Sequence, residues 1–380
     1  MLRVTLVSHG FQSEYEIGFA NGLARNGVDV LLIGSDNTQT ARSDAGVKIL
    51  NLRGSQDAGR SKLAKLINVS RYVCSYLWFL ARSRGRVVHL NGLFSTRFSL
   101  VSLLEAWLTR LAAGPYVLTV HDVLPHDGDT AFNRWAYRWL YRAPGTLVAH
   151  TCRVAGRLGH EFNVARHRIV VAEHGIDRFF DPAPALRGRV RAAQAIPPDA
   201  TVALFFGKIM RYKGVDLLLE AFERIGNDQR LHLALVGKCF DPVLLDELHA
   251  HIARHPFRAR IHWENQFIAE AEIPAVMASA DFVVLPYRHI DQSGVLFMAL
   301  SSGTPLVVAE VGTLAAYVPP AVGETVAPDD ADALAAAMAR LMTRLPSIAP
   351  SSVVAHARKY AWENTVQPLL AVYSVNQGRL

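Results

Sequence analysis

Residues 280–310 read ADFVVLPYRHIDQSGVLFMALSSGTPLVVAE, and three signals in this stretch define one folding unit. Residues 282–285 form an apolar run closed by Pro286, and residues 306–309, entered from Pro305, form a second. Short continuous runs of this kind mark strands buried on both faces. Between them residues 293–300 are apolar on nearly every side and stop before Gly303, which suits the position after a helix C-cap. The order is therefore strand, loop, helix, strand. The polar loop 288–294 delivers Gln292, Ser293 and Gly294 to the first turn of a buried helix. Unpaired N–H groups and the positive end of the macrodipole make that turn suitable for an anion. An ordinary crossover helix capped by Ser293 would show the same features.

The pattern continues outward from this unit. Residues 202–206, 231–236 and 261–263 read as further buried strands, with helices near 214–225, 242–255, 270–279 and 293–302. Upstream, strands are expected at 3–7, 28–33, 47–52, 87–91, 116–120, 146–150 and 169–172, with helices that include 14–26 and about 98–112. Apolar strands alternating with helices predict parallel sheets covered on both faces and wound right-handed. Pro182, Pro184, Pro197 and Pro198 interrupt the pattern, and 380 residues exceed one ordinary core. The expected organisation is α/β, with a first doubly wound domain at 1–181, a second at 182–355 and a closing helical segment at 356–380.

Composition narrows the class. Hydrophobic content of 51% with 19% charged residues excludes a disordered chain, and no apolar run reaches bilayer length. The chain enters a strand at once, without a signal-peptide pattern, and Cys74, Cys152 and Cys239 lack CxxC spacing. A cytoplasmic protein without a disulfide or zinc framework is expected. The net charge of +7 is unevenly spread: no acidic residue lies between Asp57 and Glu105, while Arg60, Lys62, Lys65, Arg71, Arg82, Arg84, Arg86 and Arg97 do. These cations alternate with Leu, Ile, Tyr, Trp and Phe, and residues 132–142 (FNRWAYRWLYR) repeat the mixture. An amphipathic basic helix suited to an anionic membrane surface is one reading, which would make the protein peripheral on the inner face of the membrane. Packed helices with solvated arginines are the other. Nucleic acid is not expected, because no groove-reading motif accompanies the charge.

In tandem domains of this kind ligands bind beyond the carboxyl ends of the strands. The strand-end loops carry His9 and Gly10, then His89 with Asn91 and Gly92, then His121 with Asp122. In the second domain they carry FGKIMRYKG at 206–214, VGK at 236–238 and the loop 288–294. Lys208, Arg211 and Lys213 at one strand end, in the same domain as the helix start at Ser293, suit a diphosphate. No GxxxxGK[ST] is present and no GxGxxG follows a strand, which disfavours ordinary ATP and NAD sites.

GKIMRYKGVDLLLEAF at 207–222, AEHGIDRFF at 172–180, LALVG at 233–237, ASADFVVLPY, SSGTPLVVAEVG and AWENTVQPLLAVY together resemble retaining glycosyltransferases of the GT-B fold, family GT4. The resemblance covers the second domain closely and the first more loosely. It implies two Rossmann-like domains facing across a cleft, a nucleotide-sugar donor held mainly by the second and a saccharide acceptor held mainly by the first; with the basic aromatic segments, a lipid-linked acceptor is expected. The last helix would cross back onto the first domain. Lys208 and Lys213 would stand in for a metal at the diphosphate, so no cofactor is implied. Donor contacts would come from Gly10, Gly207, Gly237, Asp291, Gln292, Ser293, Gly294 and Val295, with His121 at the donor sugar or orienting the acceptor. The family's paired glutamates fall here on Ile290 and Met298, and QSG at 292–294 replaces their motif. Hexose transfer with retention is the implied activity. An inverting transferase, a sugar-nucleotide epimerase, or a non-catalytic partner of another transferase are the competing expectations.

Overall fold

The computed structural model describes the chain except residues 10–12, 58, 84, 96–97, 126–127, 180–186, 189–190, 193–194, 270–271, 291 and 379–380. It divides into two units, Met1–Asp177 with Tyr360–Leu380, and Arg178–Lys359.

The first unit is a seven-stranded sheet of β1 (Arg3–Val7), β2 (Asp29–Gly34), β3 (Val47–Asn51), β4 (Val87–Leu90), β5 (Val117–Val120), β6 (Thr146–Ala149) and β7 (Ile169–Val171). Their order is β3-β2-β1-β4-β5-β6-β7, with every pairing parallel. The order reverses between β1 and β4, which places the loops after those strands at the switch point. Helices α2 (Lys62–Arg82), α3 (Ser99–Ala113), α4 (Ala131–Leu140) and α5 (Cys152–Phe162) contain the buried residues of one core, including Tyr76, Ala106, Tyr137 and Leu158. The other core joins α1 (Ser13–Arg25) to the C-terminal segment through Ile17, Phe19, Trp362, Val366, Leu369 and Tyr373. The chain thus returns to its first unit to close that unit's second face.

Glu16, wholly buried on α1, accepts a hydrogen bond from the Ser8 hydroxyl. Burial pushes its carboxyl up to about 7, partly offset by Thr38 and His9. A carboxyl raised above its unfolded value contributes stability below that value and loses it as pH rises through the folded pKa. Glu16→Gln is therefore expected to raise the melting temperature by a few degrees at pH 8, with the gain shrinking towards pH 5. Calorimetry at both values checks this, and an equal shift at both would contradict it.

The second unit repeats the winding with β8 (Thr201–Phe206), β9 (Leu231–Val236), β10 (Ile261–Glu264), β11 (Phe282–Leu285), β12 (Leu306–Ala309) and β13 (Gly323–Val326), ordered β10-β9-β8-β11-β12-β13. Its pairings are parallel too. The strand β13 and the helix Ala331–Arg344 that follows it were not among the expected elements. GETV is short, begins with glycine and pairs with β12 alone, so no apolar run marks it. The fold class is as expected: two Rossmann-like α/β units.

Candidate functional site

In the second unit the strand-end loops meet at glycines. Gly207 has φ +110° and Gly237 φ +146°, and a Cβ on Gly237 would lie 2.0 Å from the Gly207 carbonyl oxygen. The ends of β8 and β9 therefore run backbone against backbone, joined by the Gly207 N–H donating to Val236 O at 2.9 Å. Residues Arg211–Lys213 form a 3-10 turn rather than the start of the helix, which begins at Val215. Gly214, at φ +67°, presses this turn onto β11's end: a Cβ there would be 2.1 Å from Pro286 O. The Arg288 N–H donates to Tyr212 O at 2.7 Å and fixes the same contact.

This packing brings Lys213 into the site. Its Nζ and the Val295 side chain would each lie 3.4 Å from a Cβ on Gly207, and Nζ stands 5.5 Å from the Tyr287 ring centroid. Lys208 is exposed, its Nζ 5.1 Å from the Phe240 ring centroid. Neither lysine has a carboxylate partner among the described residues. Burial, and then the charge of Lys208, lowers the Lys213 ammonium to about 8. The sequence grouping of Arg211 with these lysines does not survive: Arg211 pairs with Glu247 at 2.7 Å and Asp241 at 3.7 Å. Arg288 is likewise engaged, with Asp216 and Asp329.

The helix Gly294–Ser301 opens beside Lys213. Ser293 occupies its N-cap, buried, but its side chain makes no capping bond, and Gly294 is exposed. The Gln292 Nε2 is buried without a partner among the described residues. Two uncompensated ammonium groups, a helix start and an orphaned amide donor form an electropositive site with several directed N–H groups. Gly10 and Asp291 lie outside the described residues. Ile290 and Met298 are half-buried and bring no carboxylate.

The first unit holds a cavity of about 490 Å³ at the ends of β4 and β5, lined mainly by apolar and aromatic groups. His121 lies on its wall with Asp122. The His121 Nε2–H donates to Asn91 O at 2.6 Å, and burial depresses its pKa, so the ring is neutral and Nδ1 is an acceptor. Tyr15 supports it edge-on at 4.9 Å between centroids and contacts His150 on the other side. Asn91, which the sequence shows only as a strand-end residue, belongs to the site. Its side chain is buried on the cavity wall and neither amide atom has a partner among the described residues. The signal was its position after β4, in the same class of loop as His121. His9 and His89 are structural instead: His9 Nε2 sits 2.7 Å from the Glu105 carboxylate, and His89 bridges Tyr373 and Thr119. Among the described residues no group of three or more His, Cys, Asp or Glu side chains is gathered as a metal site.

Paired Rossmann-like units, the second with an electropositive site at its strand ends, define the class of GT-B glycosyltransferases. The chain belongs to family 4 of that class: residues 15–178 match Glycosyltransferase Family 4 and residues 200–344 match Glycosyl transferases group 1. It is 28% identical over 253 residues to D-inositol 3-phosphate glycosyltransferase of Jonesia denitrificans, covering 61% of this chain and 59% of that one. Alpha-maltose-1-phosphate synthase of Mycobacterium tuberculosis is 23% identical over 301 residues, 71% of this chain and 77% of the other. The match spans little more than half the length of the D-inositol 3-phosphate glycosyltransferases, 52% in that of Geodermatophilus obscurus. Among solved structures, HepE of Anabaena in complex with UDP superposes with a TM-score of 0.72 at 18% identity, over 100% of both chains. Sucrose-phosphate synthase of Thermosynechococcus elongatus gives 0.73 at 17%, also over 100% of both.

Proposed function

We propose that this protein transfers a hexose from a nucleotide diphosphate sugar to a saccharide acceptor with retention of anomeric configuration. The observation that carries the reading is a pair of lysines with no carboxylate partner among the described residues, Lys213 beside Val295 in the first turn of the helix Gly294–Ser301 and Lys208 close enough to depress the charge of Lys213. Two phosphates need positive charge and N–H donors, and this site offers both without a metal. The relatives named above as glycosyltransferase and synthase support it, as does the UDP complex of HepE.

In this reaction the bond from the sugar C1 to the β-phosphate oxygen breaks, and the acceptor hydroxyl oxygen bonds C1 from the same face. The hydroxyl proton passes to the departing phosphate oxygen. Lys208, Lys213 and the first-turn amides stabilise the charge that develops on the diphosphate. His121, neutral, accepts a hydrogen bond at Nδ1 and orients a sugar hydroxyl. The acceptor is a saccharide carried on a lipid, met at the inner membrane surface.

The test is a panel of UDP-, GDP- and ADP-sugars read by thermal shift, followed by NMR of the product's anomeric centre. Stabilisation by none of them, or an inverted linkage, would overturn the reading. The open amide of Asn91 adds a prediction: Asn91→Ala raises the acceptor KM about tenfold, the scale of a lost hydrogen bond left unpaired. Donor-induced thermal shift stays unchanged in that variant, and steady-state kinetics with varied acceptor separates the two.

A further inference from the structure

Helices α2, α3 and α4 share one face of the first unit's sheet, and their outward surface is not that of an ordinary soluble helix layer. α2 buries Tyr72, Tyr76 and Leu80, yet Leu63, Leu66, Ile67 and Trp78 are each more than half exposed. α3 is inverted. Its buried side chains are Ser99, Ser102, Ala106 and Thr109, while Leu100, Leu104, Trp107 and Leu111 face solvent, Leu111 at 79%. α4 buries Ala136, Tyr137 and Leu140 and exposes Phe132, Trp135 and Trp139. The helices are neighbours: Tyr76 and Thr109 hydroxyls meet at 3.1 Å, and the Ser99 hydroxyl donates to Asn133 Oδ1 at 2.7 Å. A continuous apolar layer of this breadth needs a covering.

The charge on the face selects what covers it. Lys62, Lys65, Arg71 and Arg82 on α2, Arg110 on α3, Arg134 and Arg138 on α4 and Arg142 just after it have one acidic counterpart within these helices, Glu105; among the described residues Arg134 alone of the α4 arginines is paired from outside them, with Asp129 at 2.5 Å and Glu161 at 3.1 Å. The Glu105 carboxylate is turned inward, accepting from the Phe94 N–H at 2.7 Å and standing 2.7 Å from His9. Two arginines lie over exposed tryptophans, Arg82 4.2 Å from the Trp78 centroid and Arg142 4.3 Å from that of Trp139. Leucines flanked by tryptophan and arginine, on three helices that present no outward acid of their own, match the interfacial zone of an anionic bilayer.

The face also borders the cavity. The wall segments 91–95 and 121–125 precede α3 and α4 in the chain, and the first exposed apolar residues after them are Phe98, at the cap of α3, and Phe132 on α4. We infer that the outer face of α2, α3 and α4 seats on an anionic lipid bilayer and holds the cavity rim at headgroup level, where a lipid-carried saccharide enters. The cavity part of this rests on the transferase reading; the docking part does not.

Flotation on vesicles of phosphatidylcholine with about one third phosphatidylglycerol tests it, the anionic lipid supplying the surface potential that basic residues sense. Most of the protein is expected to float, several-fold less on phosphatidylcholine alone, with tryptophan emission shifted to the blue. Lys62→Gln with Arg71→Gln and Arg82→Gln should cut binding about tenfold or more through the lost surface charge, and separately Leu104→Ser with Leu111→Ser should cut it about as much through the lost apolar area. These positions are exposed, so melting temperatures should match the parent. Variants that float as well as the parent would overturn the inference. So would failure to float accompanied by a dimer that the leucine substitutions dissociate. Nucleotide-sugar thermal shifts on the same variants keep the two readings apart: vesicle binding without any nucleotide-sugar response sinks the transferase reading and the cavity part with it but leaves the docking face, and the reverse sinks the docking face alone.

Discussion

Lys213→Ala is expected to lower kcat by about 10² to 10³, the cost of removing one preorganised contact to a developing oxyanion. The fold should not suffer. Lys213 stands half-buried near another cation, with its ammonium already lowered to about 8, so the charge is held at a cost in the free protein. Its removal should leave the melting temperature equal or higher, while the stabilisation given by a nucleotide sugar largely disappears. The pH dependence has a definite sign. An unperturbed lysine keeps its charge to about 10.4, but this one begins to lose it near 8, so donor affinity should fall as pH rises through that value. A donor dissociation constant that stays flat from pH 7 to about 10 would contradict the role. Unchanged turnover in Lys213→Ala would remove the phosphate site altogether.

Trp362→Ala should be the most damaging single change to stability, costing about 3 to 5 kcal/mol, the range for emptying an aromatic core position. Trp362 is 2% exposed and fills a socket floored by glycines. A Cβ on Gly18 would lie 2.3 Å from its Nε1, one on Gly22 2.7 Å from its Cβ, and one on Gly175 2.1 Å from its Cδ2. Tyr15, Phe19 and His174 surround the ring at centroid distances of 5.0, 5.3 and 5.2 Å. Those glycines leave little for a smaller side chain to collapse onto, so the cavity would persist. Gly18→Ala tests the same socket from the other side and should also destabilise, by overpacking. Chemical denaturation of both variants reads the effect, with Gln367→Ala on the exposed surface as a reference expected to change little. A loss under about 1 kcal/mol for Trp362→Ala would show that the socket does not hold the unit together.

Much of the architecture was legible because buried parallel strands are short apolar runs with sharp ends: β1, β9, β11 and β12 fall on the expected residues. What escaped depends on contacts between distant parts of the chain. Nothing near Arg211 in sequence reveals that Glu247 neutralises it. The isolation of Lys208 and Lys213 could be known only once Arg211 and Arg288 had found their partners. In α3 the sequence SLVSLLEAWLTRLAA is apolar on most sides, so periodicity could not tell which stripe faces the sheet. Packing answered by burying the hydroxyls and alanine and leaving Leu100, Leu104 and Leu111 outside. Asn91 was visible as a strand-end residue, but its unpaired amide belongs to the three-dimensional cavity wall.

The return of residues 360–380 to the first unit has a consequence for how the chain is made. During synthesis the segment Arg178–Lys359 has all of its own residues before Trp362 leaves the ribosome. The earlier-synthesised unit must wait, with the glycine socket on α1 open and Phe19 uncovered, until the final twenty or so residues arrive. Domains usually complete in the order of synthesis; here the second unit can finish first. A stop introduced after Lys359 should accordingly spare the later unit and leave the earlier one sticky, a candidate for chaperone capture rather than a smaller working enzyme.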